Sequence, residues 1–441
     1  MPITTMTDSP IWQPFTQMKT ADAPLKVGRA QGARLELSDG RQIIDAISSW
    51  WVTLHGHSHP VLAKALYEQA QTLEHVIFAG FTHEPAEQLA QLLCAHTPAG
   101  LQRVFFSDNG STAVEVALKM AYQYWQRRDQ PQRSRFIGFG GGYHGDTLGA
   151  MTVGQSSPWW QPFQPLLPPL TILPYPATYP GDPEVETKEA QAIAQLEDTL
   201  KADPDAYAAL FIEPLVQGAG GMRMCRPSFL QAIAEIAKAY GVLVVYDEVM
   251  TGFGRTGALF ACEKAGTQPD LLCLSKGLSG GCLPIAVTLA TEEIYQAFYD
   301  DDPTRAFYHS HSYTGNPLAC AVSVASFQLL LAEPEAYQGL EARHWQCQQQ
   351  YLADVGNLKQ FRTCGTIAAM ELETEASYFS TLVPQLRRRF IELGVLLRPL
   401  GNTLYILPPY CITDAELATV YQAIRQVAIE VAEGYFAVAS V

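Results

Sequence analysis

Apolar residues along this chain fall into two alternating rhythms. Short, nearly unbroken apolar runs recur at 104–107, 135–139, 208–212, 241–246, 271–274 and 285–290. Runs of that length without polar alternation predict strands buried on both faces. Between them, 111–127 carries Val114, Leu118, Ala121 and Trp125 at spacings of 4, 3 and 4, one face of a helix. A second helix is expected over 228–240, with Ser228 as its cap after Pro227, and others near 185–200 and over 318–332. Buried strands alternating with helices predict an α/β fold, a mostly parallel sheet covered on both faces. Ligands of such sheets bind beyond the carboxyl ends of the strands. Ser107, Gly140 to Tyr143, Glu213, Asp247 and Lys276 all stand at or just after a strand end.

Two regions break the rhythm. Residues 157–205 are rich in proline and aromatics, which predicts an ordered excursion over the surface ahead of the 185–200 helix. Beyond Asn316-Pro317 and its helix the elements become mixed, as in a smaller α+β lobe. Arg34-Leu-Glu-Leu37 and Gln42-Ile-Ile-Asp45 read as a hairpin around Asp39-Gly40, and this N-terminal stretch is expected to pack with that lobe. The expected division is a segment 1–50 joined to the small lobe, a large domain 51–330 and a C-terminal small domain 331–441.

Composition narrows the function class. The 441 residues are 48% apolar and 17% charged, an ordinary globular balance. A net charge of −15 with no basic block argues against a nucleic-acid partner. The longest apolar runs, such as 241–246 and 329–332, are too short to cross a bilayer, so no membrane partner is expected. Met1 to Asp8 lacks a basic stretch followed by an apolar one, which predicts a cytoplasmic protein without a signal peptide. Nine cysteines without C-x-x-C spacing read as reduced thiols, not as a zinc site.

The densest chemistry lies around Lys276, in Leu274-Ser-Lys-Gly-Leu-Ser-Gly-Gly281, 29 residues after Asp247 of the pair Asp247-Glu248. A lysine among small residues at a strand end can lose its proton and attack a carbonyl. A carboxylate at the end of an earlier strand can hold a ring nitrogen protonated. Together they point to pyridoxal phosphate, held as a Schiff base with an aspartate partner. A strand-end cap plus a solvated lysine is the blander alternative. Asp108-Asn-Gly110-Ser111-Thr112 opens a helix, where amides and hydroxyls bind phosphate readily; a plain cap by Ser111 is the competing reading. Gly140–Gly145 and Gly252–Gly257 both match G-x-G-x-x-G, the dinucleotide pattern. The first lacks an acid at ribose distance, and the second would put Asp247 and Glu248 against a pyrophosphate. Tyr143 suits an aromatic plate for a planar ring. His55, His57 and His59 alternate as in some metal tracts, but without an acid or cysteine cluster a turn is the better reading, and no metal is expected. Of Trp50 and Trp51, read as neighbours in a strand, one should enter the core and one should face a site. Arg398 sits in an apolar stretch and needs an anion, either a protein carboxylate or a substrate's.

These residues resemble the class-III, fold-type-I pyridoxal-phosphate aminotransferases, from about Trp12 to Tyr410. The carrying motifs are Trp12-Gln-Pro-Phe15-Thr16, Ser48-Ser-Trp-Trp51, Gly142-Tyr-His-Gly-Asp-Thr147, Glu213-Pro-Leu-Val-Gln217, Asp247-Glu-Val249 with Lys276, and Arg398-Pro399. The first two are similar to one branch of that family, which acts in biotin synthesis. The resemblance implies a transaminase that moves an amino group from adenosylmethionine, or from lysine, to a keto acid. Lys276 would be the Schiff-base lysine, Asp247 the pyridinium partner, and Val249 and Tyr143 the two ring faces. Gly110 and Ser111 would hold the phosphate. Trp50, Tyr143, Lys276, Ser310 and Arg398 would meet the small-molecule substrates. The 308–317 loop resembles one that reaches a partner subunit's phosphate, with Ser312 as the contact, which implies a homodimer with shared active sites. The chain departs from the family at Phe15, often Tyr, and at His311-Ser312, often Pro-Thr.

Overall fold

A computed structural model describes residues 9–154, 159–374 and 380–436. The Met1 to Asp8 segment, and Ser157 and Pro158 at the start of the proline-rich stretch, lie outside the described residues. A seven-stranded sheet forms the centre. Its order is Leu101–Ser107, Ala286–Thr291, Leu271–Leu274, Leu243–Asp247, Tyr207–Ile212, Arg135–Phe139 and Leu170–Leu173. Only Ala286–Thr291 runs antiparallel to its neighbours. Tyr207–Ile212, Leu243–Asp247 and Leu271–Leu274 are buried along their whole length, as continuous apolar runs require. Their common direction brings the residues after Ser107, Phe139, Ile212, Asp247 and Leu274 to one edge of the sheet.

The helix Gly110–Arg127 buries Val114, Ala121 and Trp125 of the face read from sequence, together with Ala117, while Leu118 is only half-buried. The helix Pro227–Ala239 differs from expectation at its start. Arg226 is the capping position, Pro227 occupies the first turn, and no side chain caps, so Ser228 is not a cap. Proline presets the helical φ and lacks the amide that a cap would satisfy. The edge strand Leu170–Leu173 falls where the sequence suggested only a surface excursion. Prolines 168 and 169 stand just before it, and an edge strand tolerates them there.

The hairpin Arg34–Leu37 and Gln42–Asp45 forms as expected. Gln42–Asp45 then pairs in parallel with Val395–Leu396, which ties the N-terminal stretch to the C-terminal lobe. That lobe adds a three-stranded antiparallel sheet, Leu358–Cys364, Ile367–Leu372 and Thr403–Ile406, against which the helix Leu340–Cys347 packs, and the helices Leu382–Glu392 and Asp414–Ala432, which pack on Val395–Leu396. No single helix among the described residues is long and apolar enough to cross a membrane.

Candidate active site

The strand ends of the large sheet and the N- and C-terminal lobe enclose a cleft of about 790 Å³. Lys276, Asp247, Tyr143, Gly110, Ser111, Val249, Trp50 and Arg398 all line it. Ser310 and Ser312 do not; both are exposed on a loop outside this chain's cleft.

Lys276 begins a short 3₁₀ turn straight after the strand Leu271–Leu274. The small residues that follow it have a packing reason. A Cβ on Gly277 would meet Leu54 at 3.0 Å, and one on Gly281 would meet Thr53 at 3.0 Å. Lys276 itself takes φ 41°, a left-handed conformation unusual for a side chain of its size. Its Nζ lies 4.9 Å from the centre of the Trp51 ring. Burial disfavours the ammonium, and the charges of Asp247 and Glu213 only partly offset this, so the lysine titrates below its ordinary value. That is the direction a nucleophilic amine needs.

The acidic pair divides its labour by direction. Asp247 points into the cleft, where its Oδ2 accepts from His144 Nδ1 at 2.7 Å. Glu248 turns away and accepts from the amides of Ala261 and Cys262 at 2.7 and 2.8 Å, closing the first turn of the next helix. Burial opposes a charge on His144, but the hydrogen bond and the attraction of Asp247 outweigh it, and its pKa is raised. Glu213 accepts from the amides of Tyr143 at 3.0 Å and Gly218 at 2.8 Å. Burial pushes its carboxyl up to about 7 against the pull of His144. The sequence pattern gave His144 no role, although it adjoins Tyr143 in the same motif. It marked Glu213 only as a strand end.

Across the cleft, the start of the helix Gly110–Arg127 is capped by Asn109, whose side chain accepts from the Thr112 amide at 3.0 Å. Ser111 is therefore not the cap. Its Oγ accepts from the Thr147 amide at 3.0 Å and stands at the cleft wall. A Cβ on Gly110 would strike Val249 at 2.6 Å, so the helix start and Val249 are in direct contact. The Tyr143 hydroxyl donates to Asp146 at 2.9 Å.

Trp50 and Trp51 stand in a left-handed turn, not in a strand. Ser48, Ser49, Trp50 and Trp51 have φ of 51°, 46°, 78° and 73°. Such a conformation costs roughly 1–2 kcal/mol per residue for side-chain-bearing positions. The expected split between the two rings still holds: Trp51 is 4% exposed and Trp50 39%. Trp50 carries the Arg398 guanidinium 4.8 Å from its ring centre and Phe15 at 5.9 Å. Arg398 makes no ion pair with a carboxylate among the described residues, so the protein-carboxylate alternative has no partner there.

The alternating histidines serve the fold. His55 Nε2 lies 3.0 Å from Ser326 Oγ and His57 Nε2 lies 2.9 Å from Asp45. Asp270, the acid downstream of Gly252–Gly257 at a spacing that a dinucleotide's ribose would use, accepts from the Val244 amide at 2.7 Å, a structural contact.

A pyridoxal phosphate suits these residues. An amine of lowered pKa, a carboxylate held by a buried imidazole, an apolar side chain, an aromatic plate and a helix start all face one cleft. Comparison with known proteins points the same way. The aminotransferase class-III family model matches residues 16–428. The chain is 56% identical over 422 residues to the adenosylmethionine-8-amino-7-oxononanoate aminotransferase of Synechococcus elongatus, covering 96% of this chain and 99% of that one. It is 40% identical to the Geobacter sulfurreducens protein of the same name, covering 92% and 93%. Among solved structures, the Methanocaldococcus jannaschii protein of that name superposes with a TM-score of 0.87 at 32% identity, covering 94% and 97%. A PLP-bound amine transaminase from an uncultivated Pseudomonas species gives 0.88 at 29%, covering 95% and 98%.

Proposed function

The chain belongs to the class-III aminotransferases, pyridoxal-phosphate enzymes, and from that premise we propose that it transfers the amino group of S-adenosylmethionine to 8-amino-7-oxononanoate, giving 7,8-diaminononanoate for biotin synthesis. One observation carries the assignment of the machinery: Lys276 and the Asp247–His144 pair face the same cleft.

When bound, pyridoxal phosphate supplies the carbonyl that takes up an amine and the ring that accommodates the electrons released at the substrate carbon. Lys276 Nζ would hold the cofactor between turnovers, take the proton from the donor Cα and return a proton on the other side of the transfer. Asp247 would keep the ring nitrogen protonated, and His144, donating to its Oδ2, keeps that carboxylate oriented. Val249 and Tyr143 would enclose the ring. Gly110 and Ser111, at the positive end of their helix, would bind the phosphate. Arg398 would grip a substrate carboxylate in the bidentate manner of a guanidinium, and Trp50 would support it from below.

We also read the protein as a homodimer with shared sites. Ser310 and Ser312 lie outside their own cleft, and the exposed Tyr308 and Tyr313 beside them give the loop an apolar surface. In this reading Ser312 reaches the phosphate, and Ser310 the substrate, of the neighbouring subunit. The large domain 51–330 then carries the cofactor, with 1–50 and 331–441 as the substrate-facing lobe.

Product analysis tests the reaction. 8-Amino-7-oxononanoate should be converted with adenosylmethionine as donor, and a panel of ω-amino acids should give little product. Comparable turnover of the panel, without diaminononanoate, would reassign the chain to the general amine transaminases.

A further inference from the structure

We propose that Asp45 is a positioning residue for this cleft: its carboxylate holds the left-handed turn Ser48–Trp51, and so sets Trp51 against Lys276 and Trp50 against Arg398. Nothing in the reaction chemistry calls for Asp45. It is fully buried, beyond the reach of substrate. Yet it receives four bonds. Oδ1 accepts from the amides of Ser49 at 2.9 Å and Ile47 at 3.3 Å. Oδ2 accepts from Ser49 Oγ at 2.6 Å and from His57 Nε2 at 2.9 Å. Three of the four come from the approach to the turn and the turn itself.

The need for such a brace lies in the backbone. Four consecutive non-glycine residues take positive φ, a conformation L-residues adopt singly if at all. Surroundings must hold it, and strain of this kind concentrates where a site demands an exact presentation. The turn presents its two rings oppositely. Trp51 packs beneath Lys276, and its Nε1 donates to the Tyr405 hydroxyl at 3.1 Å. Trp50 faces outward beneath Arg398. Asp45 also reaches Arg398 by the other route. Its strand pairs Asp45 with Leu396, two residues before Arg398, and the Ala46 amide donates to Leu396 O at 3.3 Å. One buried carboxylate thus sits where the strand leading to the arginine meets the turn carrying the tryptophans. Burial raises the cost of its charge, but the bonds from His57 and Ser49 outweigh that, and Asp45 titrates below its ordinary value. It stays an acceptor under working conditions.

The proposal rests on the reading that Lys276 and Arg398 mark the working parts of the cleft. The test uses holoenzyme and compares Asp45→Ala, Asp45→Asn, His57→Ala, Arg398→Ala and the double variant Asp45→Ala/Ser49→Gly. Asp45→Ala should raise KM for 8-amino-7-oxononanoate at least tenfold, with a smaller change in kcat. Asp45→Asn, which keeps an acceptor for the Ser49 amide, should fall in between. The added Ser49→Gly should recover most of the loss, because glycine takes positive φ without strain. His57→Ala should keep a KM near wild type. An unchanged KM in both Asp45 variants, failure of the glycine to recover it, or a His57→Ala defect as large as that of Asp45→Ala would overturn the proposal. If Asp45→Ala does not fold, Asp45→Asn with and without Ser49→Gly makes the same comparison. Should Arg398→Ala leave KM unchanged, the reading of the cleft fails first; should only the Asp45 variants be neutral, this inference fails alone.

Discussion

The two walls of the cleft are built on opposite plans. On the wall made by the large sheet, the carboxylates already have partners: Asp247 has His144, and Glu213 has two amides. On the wall made by the N- and C-terminal lobe, Arg398 has an aromatic face and no carboxylate among the described residues, over a turn of strained backbone. A satisfied wall holds its groups in fixed positions, as proton transfer requires. An unsatisfied cation leaves a charge for the ligand to complete. In the function proposed above, chemistry belongs to the first wall and recognition to the second, and substitutions on each should separate accordingly.

Lys276→Ala should have the largest effect. It should fold, lose the visible absorption of the lysine-linked cofactor, and lose nearly all turnover in both half-reactions. Near wild-type transamination would remove the chemistry wall from the mechanism. Asp247→Asn comes next, with proton abstraction slowed by orders of magnitude and substrate affinity little changed. Glu248→Gln is its control; a greater loss there, measured by single-turnover kinetics, would invert the assignment of the pair.

Arg398→Ala probes the other wall. The acceptor half-reaction should weaken by roughly 2–4 kcal/mol, because a buried substrate carboxylate is left without its guanidinium. Stopped-flow on each half-reaction reads this. Unchanged acceptor affinity would leave the recognition wall without its anchor.

Glu213 offers a pH test of the satisfied wall. Its folded pKa of about 7 lies above the value near 4.5 expected when unfolded. A raised pKa means that its contribution to stability is fully present below the unfolded value and is lost as pH rises through the folded one, here between 4.5 and about 7. The unfolding free energy of wild type relative to Glu213→Gln, read from denaturant melts, should therefore fall as pH rises through that window, by at most about 3 kcal/mol. Parallel curves would mean that Glu213 is not strained by burial. The smallest effect belongs to Ser312→Ala, a loss of about 1 kcal/mol in cofactor affinity for one neutral hydrogen bond. Mixing it with Lys276→Ala subunits tests the shared site: the hybrid's one site with an intact lysine should bind cofactor with wild-type affinity, and retention there of the full Ser312→Ala loss would argue for cofactor sites built from single chains.

The chemistry wall was the more legible in sequence, and for a physical reason. Its residues follow buried apolar strands whose ends can be found by eye, so Asp247 and Lys276 could be placed from periodicity alone. His144 escaped because its contact to Asp247 spans 103 positions and no local pattern encodes it. The recognition wall was harder. Adjacent tryptophans suggested a strand, and four left-handed residues without a glycine are held by contacts no periodicity encodes: Asp45 four positions before Ser49, and distant bonds from Ser48 to Leu407 and from Arg255 to Trp51. The split of the two rings came out as expected despite the wrong backbone, because one indole was needed in the core either way. The edge strand Leu170–Leu173 was hidden by the prolines before it, and the cap at Asn109 by the serine two residues on.

Both walls meet in one experiment on the wild-type enzyme. Adenosylmethionine added alone should bleach the visible band of the lysine-linked cofactor, and lysine should do so far more slowly. Stoichiometric 8-amino-7-oxononanoate should then restore the band and yield one equivalent of 7,8-diaminononanoate. A band that adenosylmethionine leaves untouched, or that bleaches but does not return with the oxononanoate, would contradict the assignment of this cleft.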